Sequence, residues 1–290
     1  MYNSHIYRHE KRSLQWEEVR GFGLPPPGRA NHSAVLCGTK MITYGGHKEL
    51  EVLDDMFSFD FETKRWEKIF FEKSQGPGPL FLHTAVYVPT THSMVVLGGF
   101  HQREHNIYLG HVFDIKNKSW NGIPCPSRVN PQQIQTPLAA YYAPSASIIV
   151  LGLINMDYNA TNPSRSVTNV AGASFAPSER SRSVPKVHIV NTTSWVWTEV
   201  LTTSSPESPI PFRMESVWDE FMTRIVQMGG YYDEVQVTWY FPVCLKDIRE
   251  GTVESLRQAH KRSGYAFLKL DLSDYMWSLV PVTFPKKAAE

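Results

Sequence analysis

The chain has 290 residues, of which 42% are hydrophobic and 12% aromatic, and its 29 Lys and Arg nearly balance its 28 Asp and Glu. A chain of this length buries a sizeable core, and a balance this even offers neither a basic stripe for phosphate backbones nor an acidic solvating tail, so nucleic acid is not expected as a partner. Its 20 Pro and 18 Gly are scattered rather than pooled, the composition of many short strands joined by turns.

Cys37, Cys125 and Cys244 stand far apart, outside any Cys-x-x-Cys or zinc spacing, and read as reduced thiols. Met1-Tyr2-Asn3-Ser4-His5 has no apolar signal core, and the longest apolar run, Ala146 to Ile154, is about half a bilayer span. No membrane partner is expected, and the cytoplasm, with the nucleus as second choice, is the expected compartment. The sequons at Asn31, Asn117, Asn159 and Asn191 read as unmodified.

In chain order the elements form a repeat. Residues 1–20 hold two alternating runs, His5-Ile6-Tyr7-Arg8-His9 and Ser13 to Val19 with Trp16, which match only the last two strands of a unit. Residues 21–72 hold a whole one. Ser33-Ala34-Val35-Leu36 and Met41-Ile42-Thr43-Tyr44 flank a turn, Gly45-Gly46 closes the second strand, Met56 to Asp60 alternates with period two, and Arg65 to Ile69 carries Trp66. Residues 73–125 repeat this order through His83 to Tyr87, Met94 to Leu97, Gly98-Gly99, His111 to Ile115 and Trp120. Residues 126–202 do so with Ala139 to Tyr142, Ile148 to Leu151, Val187 to Asn191 and Trp195-Val196-Trp197, one glycine being lost. Residues 203–281 supply Arg213 to Trp218, Ile225 to Met228, Gly229-Gly230, Phe267 to Asp271 and Met276 to Leu279 with Trp277, leaving 282–290 as a tail.

Period two excludes helices. Sheets apolar on both faces must stack on one another, with Trp and other aromatics filling the wedges, while paired glycines permit a sharp turn and close backbone approach. The Asp or Asn after each third strand suits the following turn, because its side chain accepts hydrogen bonds from nearby amides.

The markers Gly45-Gly46, Gly98-Gly99 and Gly229-Gly230, the aromatics Phe59, Phe113 and Phe267, and Trp66, Trp120, Trp197 and Trp277 resemble those of the kelch-repeat family. The resemblance implies an all-β kelch-type β-propeller whose loops bind partner proteins. Its blades here are about four complete four-stranded ones plus an N-terminal half blade, fewer than in most kelch rings, so an incomplete ring, self-association or further N-terminal blades are expected alternatives to closure.

Two insertions interrupt the units. Residues 156–185 are rich in Ser, Asn, Thr and Arg and are expected to be disordered, with Ser164 to Ser166 and Ser178 to Ser183 as candidate phosphate acceptors. Residues 233–263 include a helix-like run, Thr252 to Arg262. No Walker, Rossmann, Gly-x-Ser-x-Gly or His-Glu-x-x-His motif occurs, so no enzyme activity, cofactor or metal is expected. A galactose-oxidase-like copper enzyme remains the least favoured alternative; Cys37, Tyr44, His32 and His83 would supply its residue types. The expected function is a protein-binding adaptor or signalling scaffold, with a ubiquitin-ligase substrate receptor as the second reading. Arg29, His101, Arg103, His105, Arg213, Tyr231 and Tyr232 are the candidate partner contacts, because Arg and Tyr are efficient interface anchors.

Overall fold

Period-two runs bounded by Gly, Pro and Asx turns form antiparallel sheets along the chain. The structure is a computed structural model and describes residues 4–10, 15–101, 108–124, 134–155, 183–200, 203–204, 231–233, 238–244, 265–271 and 276–281.

The half unit is a two-stranded sheet of β1 (Ile6–Glu10) and β2 (Gln15–Val19), with His9 opposite Trp16. The first full sheet follows. It comprises β3 (Phe22–Gly23), β4 (Ser33–Cys37), β5 (Lys40–Tyr44), β8 (Met56–Asp60) and β9 (Arg65–Ile69), ordered β4-β5-β8-β9-β3, while β6 (His47–Lys48) and β7 (Glu51–Val52) make a small hairpin within it. In the second sheet β11 (Thr84–Val88), β12 (Ser93–Leu97), β14 (Tyr108–Asp114) and β15 (Ser119–Pro124) run as one meander, beside the pair β10 (Leu80–Phe81) and β13 (Phe100–His101). The third is β16 (Ile134–Tyr142), β17 (Ser147–Asn155), β18 (Ser183–Asn191) and β19 (Trp197–Val200). The fourth orders β20 (Thr203–Ser204), β24 (Met276–Pro281), β23 (Tyr265–Asp271), β22 (Thr238–Cys244) and β21 (Tyr231–Asp233). Like β3 on β9, β20 lies parallel on β24 at the sheet's outer edge.

One register recurs in every sheet. The third strand ends opposite the start of the second, at Asp60–Lys40, Asp114–Ser93, Asn191–Ser147 and Asp271–Thr238. The Trp of the fourth strand faces the residue before that Asp or Asn, at Phe59–Trp66, Phe113–Trp120, Val190–Trp197 and Leu270–Trp277. This corrects the sequence reading in three places. In the fourth sheet Leu270 holds the aromatic position, since Phe267 faces Val280 instead. The second strand there is Thr238–Cys244, inside the stretch 233–263 read as an insertion. That run is aromatic and β-branched, but Pro242 at its middle cannot donate to a ladder, and the glycine pair drew the reading to Ile225 to Met228. In the third sheet Trp195 is a turn residue at φ 56, and the fourth strand begins at Trp197.

β18 also begins at Ser183, so the last residues of 156–185 lie in a ladder, Pro185 facing Leu153. Of the candidate phosphate acceptors, Ser183 is thus a ladder residue opposite Asn155; the others, with the rest of that insertion, Cys125, the run Thr252 to Arg262, Arg213 to Trp218, Ile225 to Met228 and Gly229-Gly230, lie outside the described residues.

The sheets bury one another face to face. Val35, Cys37, Ile42, Tyr44 and Met56 from the first full sheet share a core with Leu80, Met94, Val96, Phe113 and Trp120 from the second. Val86, Val88, Val95, Leu97 and Ile123 of the second share the next core with Ile148, Val150, Val190 and Trp197 of the third. Ile6 and Val19 of the half unit pack on Phe57, Phe59 and Trp66. This is the stacking that both-faces-apolar sheets require. Among the described residues the sheets do not close into a ring.

The turn after each third strand forms as its chemistry demands. Asp60 Oδ1 accepts the amides of Glu62 and Thr63, Asp114 Oδ1 those of Lys116 and Asn117, and Asn191 Oδ1 those of Thr193 and Ser194. Each turn then closes through a left-handed residue, Lys64, Lys118 or Trp195. The amide hydrogen bonds, led by Thr63 for Asp60 and Asn117 for Asp114, hold both carboxyls below their ordinary value of 3.8. A depressed folded value stabilises the fold above the unfolded pKa and is lost as pH falls through the folded one. The double change Asp60→Asn with Asp114→Asn keeps the acceptor oxygens and removes the charge. Urea unfolding midpoints measured from pH 6 down to about pH 3 are therefore expected to fall less steeply for this variant than for the parent, and equal slopes would refute the assignment.

Candidate functional site

In a four-stranded meander the first-to-second and third-to-fourth turns share one end, and the second-to-third loops and sheet-to-sheet connections share the other. The first end is short turns, at 37–40 and 60–65 in the first full sheet and 88–93 and 114–119 in the second. The glycine-pair end carries the elaborate loops.

There the backbone of one sheet is tied to the next. Gly46 N–H donates to Leu80 O at 2.8 Å, Leu80 N–H to Leu53 O at 3.1 Å, and Leu82 N–H to Asn31 O at 3.0 Å, while Ala30 and His47 exchange both backbone bonds. Asn31 and Leu82 are both left-handed, at φ 54 and 56, and each precedes a histidine. His32 and His83 are thus equivalent, and each sits against the second glycine of a pair, His32 against Gly46 and His83 against Gly99. His83 is buried and its Nε2 lies 2.7 Å from Ser33 Oγ. Desolvation, and then the nearby Arg29 charge, hold His32 below 6.5.

Arg29 was expected at a binding face; the structure spends its guanidinium internally. Its side chain is 4% exposed. The Nη1 and Nη2 atoms donate to the two Asp55 oxygens at 2.5 and 3.2 Å, Nη1 also to Gly45 O at 2.9 Å, and Nε to Pro27 O at 3.1 Å. The Cζ atom lies 5.3 Å from the Phe57 ring centre. A guanidinium so engaged joins the connection, the glycine pair and the start of β8 rather than reaching outward.

The other candidates distribute differently. His101 ends β13 opposite Leu80, at the glycine-pair end. Tyr231 and Tyr232 are ladder residues of β21, facing Tyr240 and Trp239, rather than loop residues. Arg103, His105 and Arg213 lie outside the described residues. Side chains that the sequence reading passed over do gather at this end. Asn31 Nδ2 and His47 Nε2 are 3.1 Å apart, the His47 ring stands edge-on to Phe81, and Phe81 packs on Phe100. Leu50, 71% exposed, crowns the β6–β7 hairpin between exposed Lys48, Glu49 and Glu51. The signal for them was the loop following Gly45-Gly46, which residue type alone did not single out.

The copper constellation does not assemble. Cys37 faces Lys40 at one end of its hairpin and Tyr44 faces Ser33 at the other. Tyr44 donates its hydroxyl to Gly78 O, and burial, then Asp54 and Asp55, raise its pKa well above 10. Cys37 instead lies 3.9 Å from His92, whose Nδ1 is 2.9 Å from the Tyr87 hydroxyl oxygen. Among the described residues no three His, Cys, Asp or Glu side chains converge to hold a metal ion, and no helix is long and apolar enough to cross a membrane.

A family model described as the KLHDC2/KLHL20/DRC7 Kelch-repeats domain matches residues 1–158. The chain belongs to the kelch-repeat family. Kelch domains are in general protein-interaction modules rather than enzymes. Similar proteins include human leucine-zipper-like transcriptional regulator 1, 27% identical over 36% of this chain and 13% of that protein. An F-box/kelch-repeat protein of Arabidopsis thaliana is 30% identical over 39% of this chain and 28% of its own length. Tip elongation aberrant protein 3 of Schizosaccharomyces pombe is 33% identical over 21% of this chain and 5% of its own. The matched kelch region is less than a third of each relative's length.

Proposed function

We propose that this kelch chain is a non-catalytic adaptor or signalling scaffold, acting in the cytoplasm or nucleus, that holds a partner protein on the loops at its glycine-pair end. The supporting observation is the asymmetry between the ends: short Asx turns at one, and at the other loops cross-tied between successive sheets that present Asn31, His47 and Leu50. Cross-tying preorganises a surface, which lowers the entropy cost of binding. His101 extends the proposed contact set on the same end, Arg103, His105 and Arg213 are proposed contacts that lie outside the described residues, and Tyr231 and Tyr232 are proposed contacts from the first-position edge strand of the fourth sheet.

The first test is affinity capture from the source cell with the parent chain and with Leu50→Asp combined with Lys48→Glu. Both positions are exposed, so the melting temperature is expected to stay unchanged while the specifically captured partner drops about tenfold. Capture unaffected by the pair would remove this end as the binding face. A second reading, substrate receptor of a ubiquitin ligase, is favoured by the F-box/kelch-repeat relative, and it requires ligase subunits among the captured proteins.

A further inference from the structure

The connection from β3 to β4 carries more apolar side chain than its place in the repeat requires. It runs through Leu24-Pro25-Pro26-Pro27-Gly28 to Arg29. Counted back from the equivalent histidines His32 and His83, Pro26 corresponds to Pro77, and both are buried. That one proline is what the packing of each connection takes up. The flanking positions differ. Leu24, Pro25 and Pro27 are exposed, Leu24 at 63%, where the next connection has Gln75, Gly76 and Gly78. Phe22 of the edge strand β3 adds an exposed ring just before them.

Covalent geometry sets the backbone of this segment. Each proline fixes its own φ, and a residue that precedes proline is kept out of the helical region, so Leu24, Pro25 and Pro26 are all held extended. With trans peptide bonds throughout, the run makes about one turn of polyproline II helix. Its three-fold repeat leaves two edges outward, Leu24 with Pro27 on one and Pro25 on the next, while Pro26 faces the protein. Among the described residues no backbone amide donates to Pro25 O or Pro26 O, whereas Pro27 O accepts Arg29 Nε at 3.1 Å.

We infer that residues 22–28 are themselves a ligand: the two outward edges of this polyproline II turn dock in the aromatic-lined groove of a partner domain that reads proline-rich segments. Such grooves seat residues from two adjacent edges against aromatic rings and offer donors to the exposed carbonyls. The buried Pro26 holds the turn in its bound shape, so little ordering entropy is left to lose on docking. Recognition is apolar rather than ionic, because the adjacent cation, Arg29, is committed to Asp55, Gly45 O and Pro27 O. A partner strand fits poorly, since the three consecutive prolines have no N–H to give to a ladder. The segment leaves β3 at the outer edge of its sheet, where a folded domain can approach it.

The probe is a panel of purified SH3, WW and EVH1 domains, the classes whose grooves read polyproline II, each titrated into the fluorescein-labelled full chain. At least one is expected to bind saturably by anisotropy and to be competed by a peptide of residues 22–28 but not by its scramble. Leu24→Gln and Pro27→Ala in the full chain should each weaken that binding about tenfold at an unchanged melting temperature, since both side chains are exposed. The inference is overturned if no domain binds saturably, if the peptide competes no better than its scramble, or if neither substitution weakens the complex. It is also overturned if Leu50→Asp with Lys48→Glu weakens the complex as much, which would move the contact to the loop face. That pair is expected to leave this binding intact, so the result stands apart from the test of the loop surface.

Discussion

Arg29→Ala is expected to lower stability by about 3 kcal/mol, because removing one member of a buried ion pair strands the other. The 4% exposed guanidinium leaves behind a carboxylate, Asp55, that is itself only 17% exposed, together with the Gly45 carbonyl it had satisfied. On a chain of this size that loss corresponds to a melting temperature roughly 5 to 10 °C lower. Arg29→Lys should recover little, since an ammonium cannot span both Asp55 oxygens while also meeting Gly45 O. Asp55→Asn should cost less than Arg29→Ala, and the double mutant less than the sum, as expected for contacting partners. Thermal melts of the four proteins decide it. A fully additive cycle, or Arg29→Ala melting with the parent, would show that the pair carries no coupling and would return Arg29 to the list of residues available to a partner.

The repeat unit was legible because its period is local. Strand alternation, the Gly-Gly pair and Trp recur at nearly constant spacing in the first two full sheets, where Gly46 and Gly99, or Trp66 and Trp120, take matching roles. The Asx turn was legible for the same reason, as its donors lie within three residues of the acceptor. Legibility fails where choice depends on partners far off in sequence. Thr238–Cys244 becomes a second strand because it matches Tyr265–Asp271 in ladder, and its Pro242 conceals it from any rule based on propensity. Val190 and Leu270 fill the aromatic position without being aromatic, because what the wedge requires is an apolar neighbour for Trp.

The candidate site was less legible, and Arg29 explains why. Residue type made it an interface anchor, yet its role is set by Asp55, 26 residues away, and by Gly45 O, 16 residues away, neither of which any local pattern connects to it. The surface at the glycine-pair end arises in the same way. Asn31 meets His47 across 16 residues, and Phe81 meets both His47 and Phe100, so the grouping exists only once the connections of two sheets are tied together.

Those ties rest on the glycine pair, and Gly46→Ala is expected to have the other large effect, about 3 to 5 kcal/mol of destabilisation. Gly46 sits at φ +89, and an added Cβ would lie 2.6 Å from Ala30 O and 2.8 Å from His32 Cβ. Neither neighbour can yield cheaply. Ala30 is held by its paired backbone bonds to His47, and the Gly46 amide is held by Leu80 O. Gly38 is the control, since it also has a positive φ, +58, but a Cβ there meets nothing within 4 Å. Gly38→Ala should therefore cost only the left-handed backbone penalty, on the order of 1 kcal/mol. Urea unfolding of both variants separates the two contributions. Equal losses would mean that backbone conformation alone explains the conserved geometry of Gly46 and Gly99 within this chain; a loss several times larger at Gly46 would mean that close approach between connection and sheet is what requires glycine. In the second case Gly99→Ala should behave like Gly46→Ala, because its Cβ would lie 2.7 Å from His83 Cβ and 2.9 Å from Phe81 O, the same collision one sheet further on.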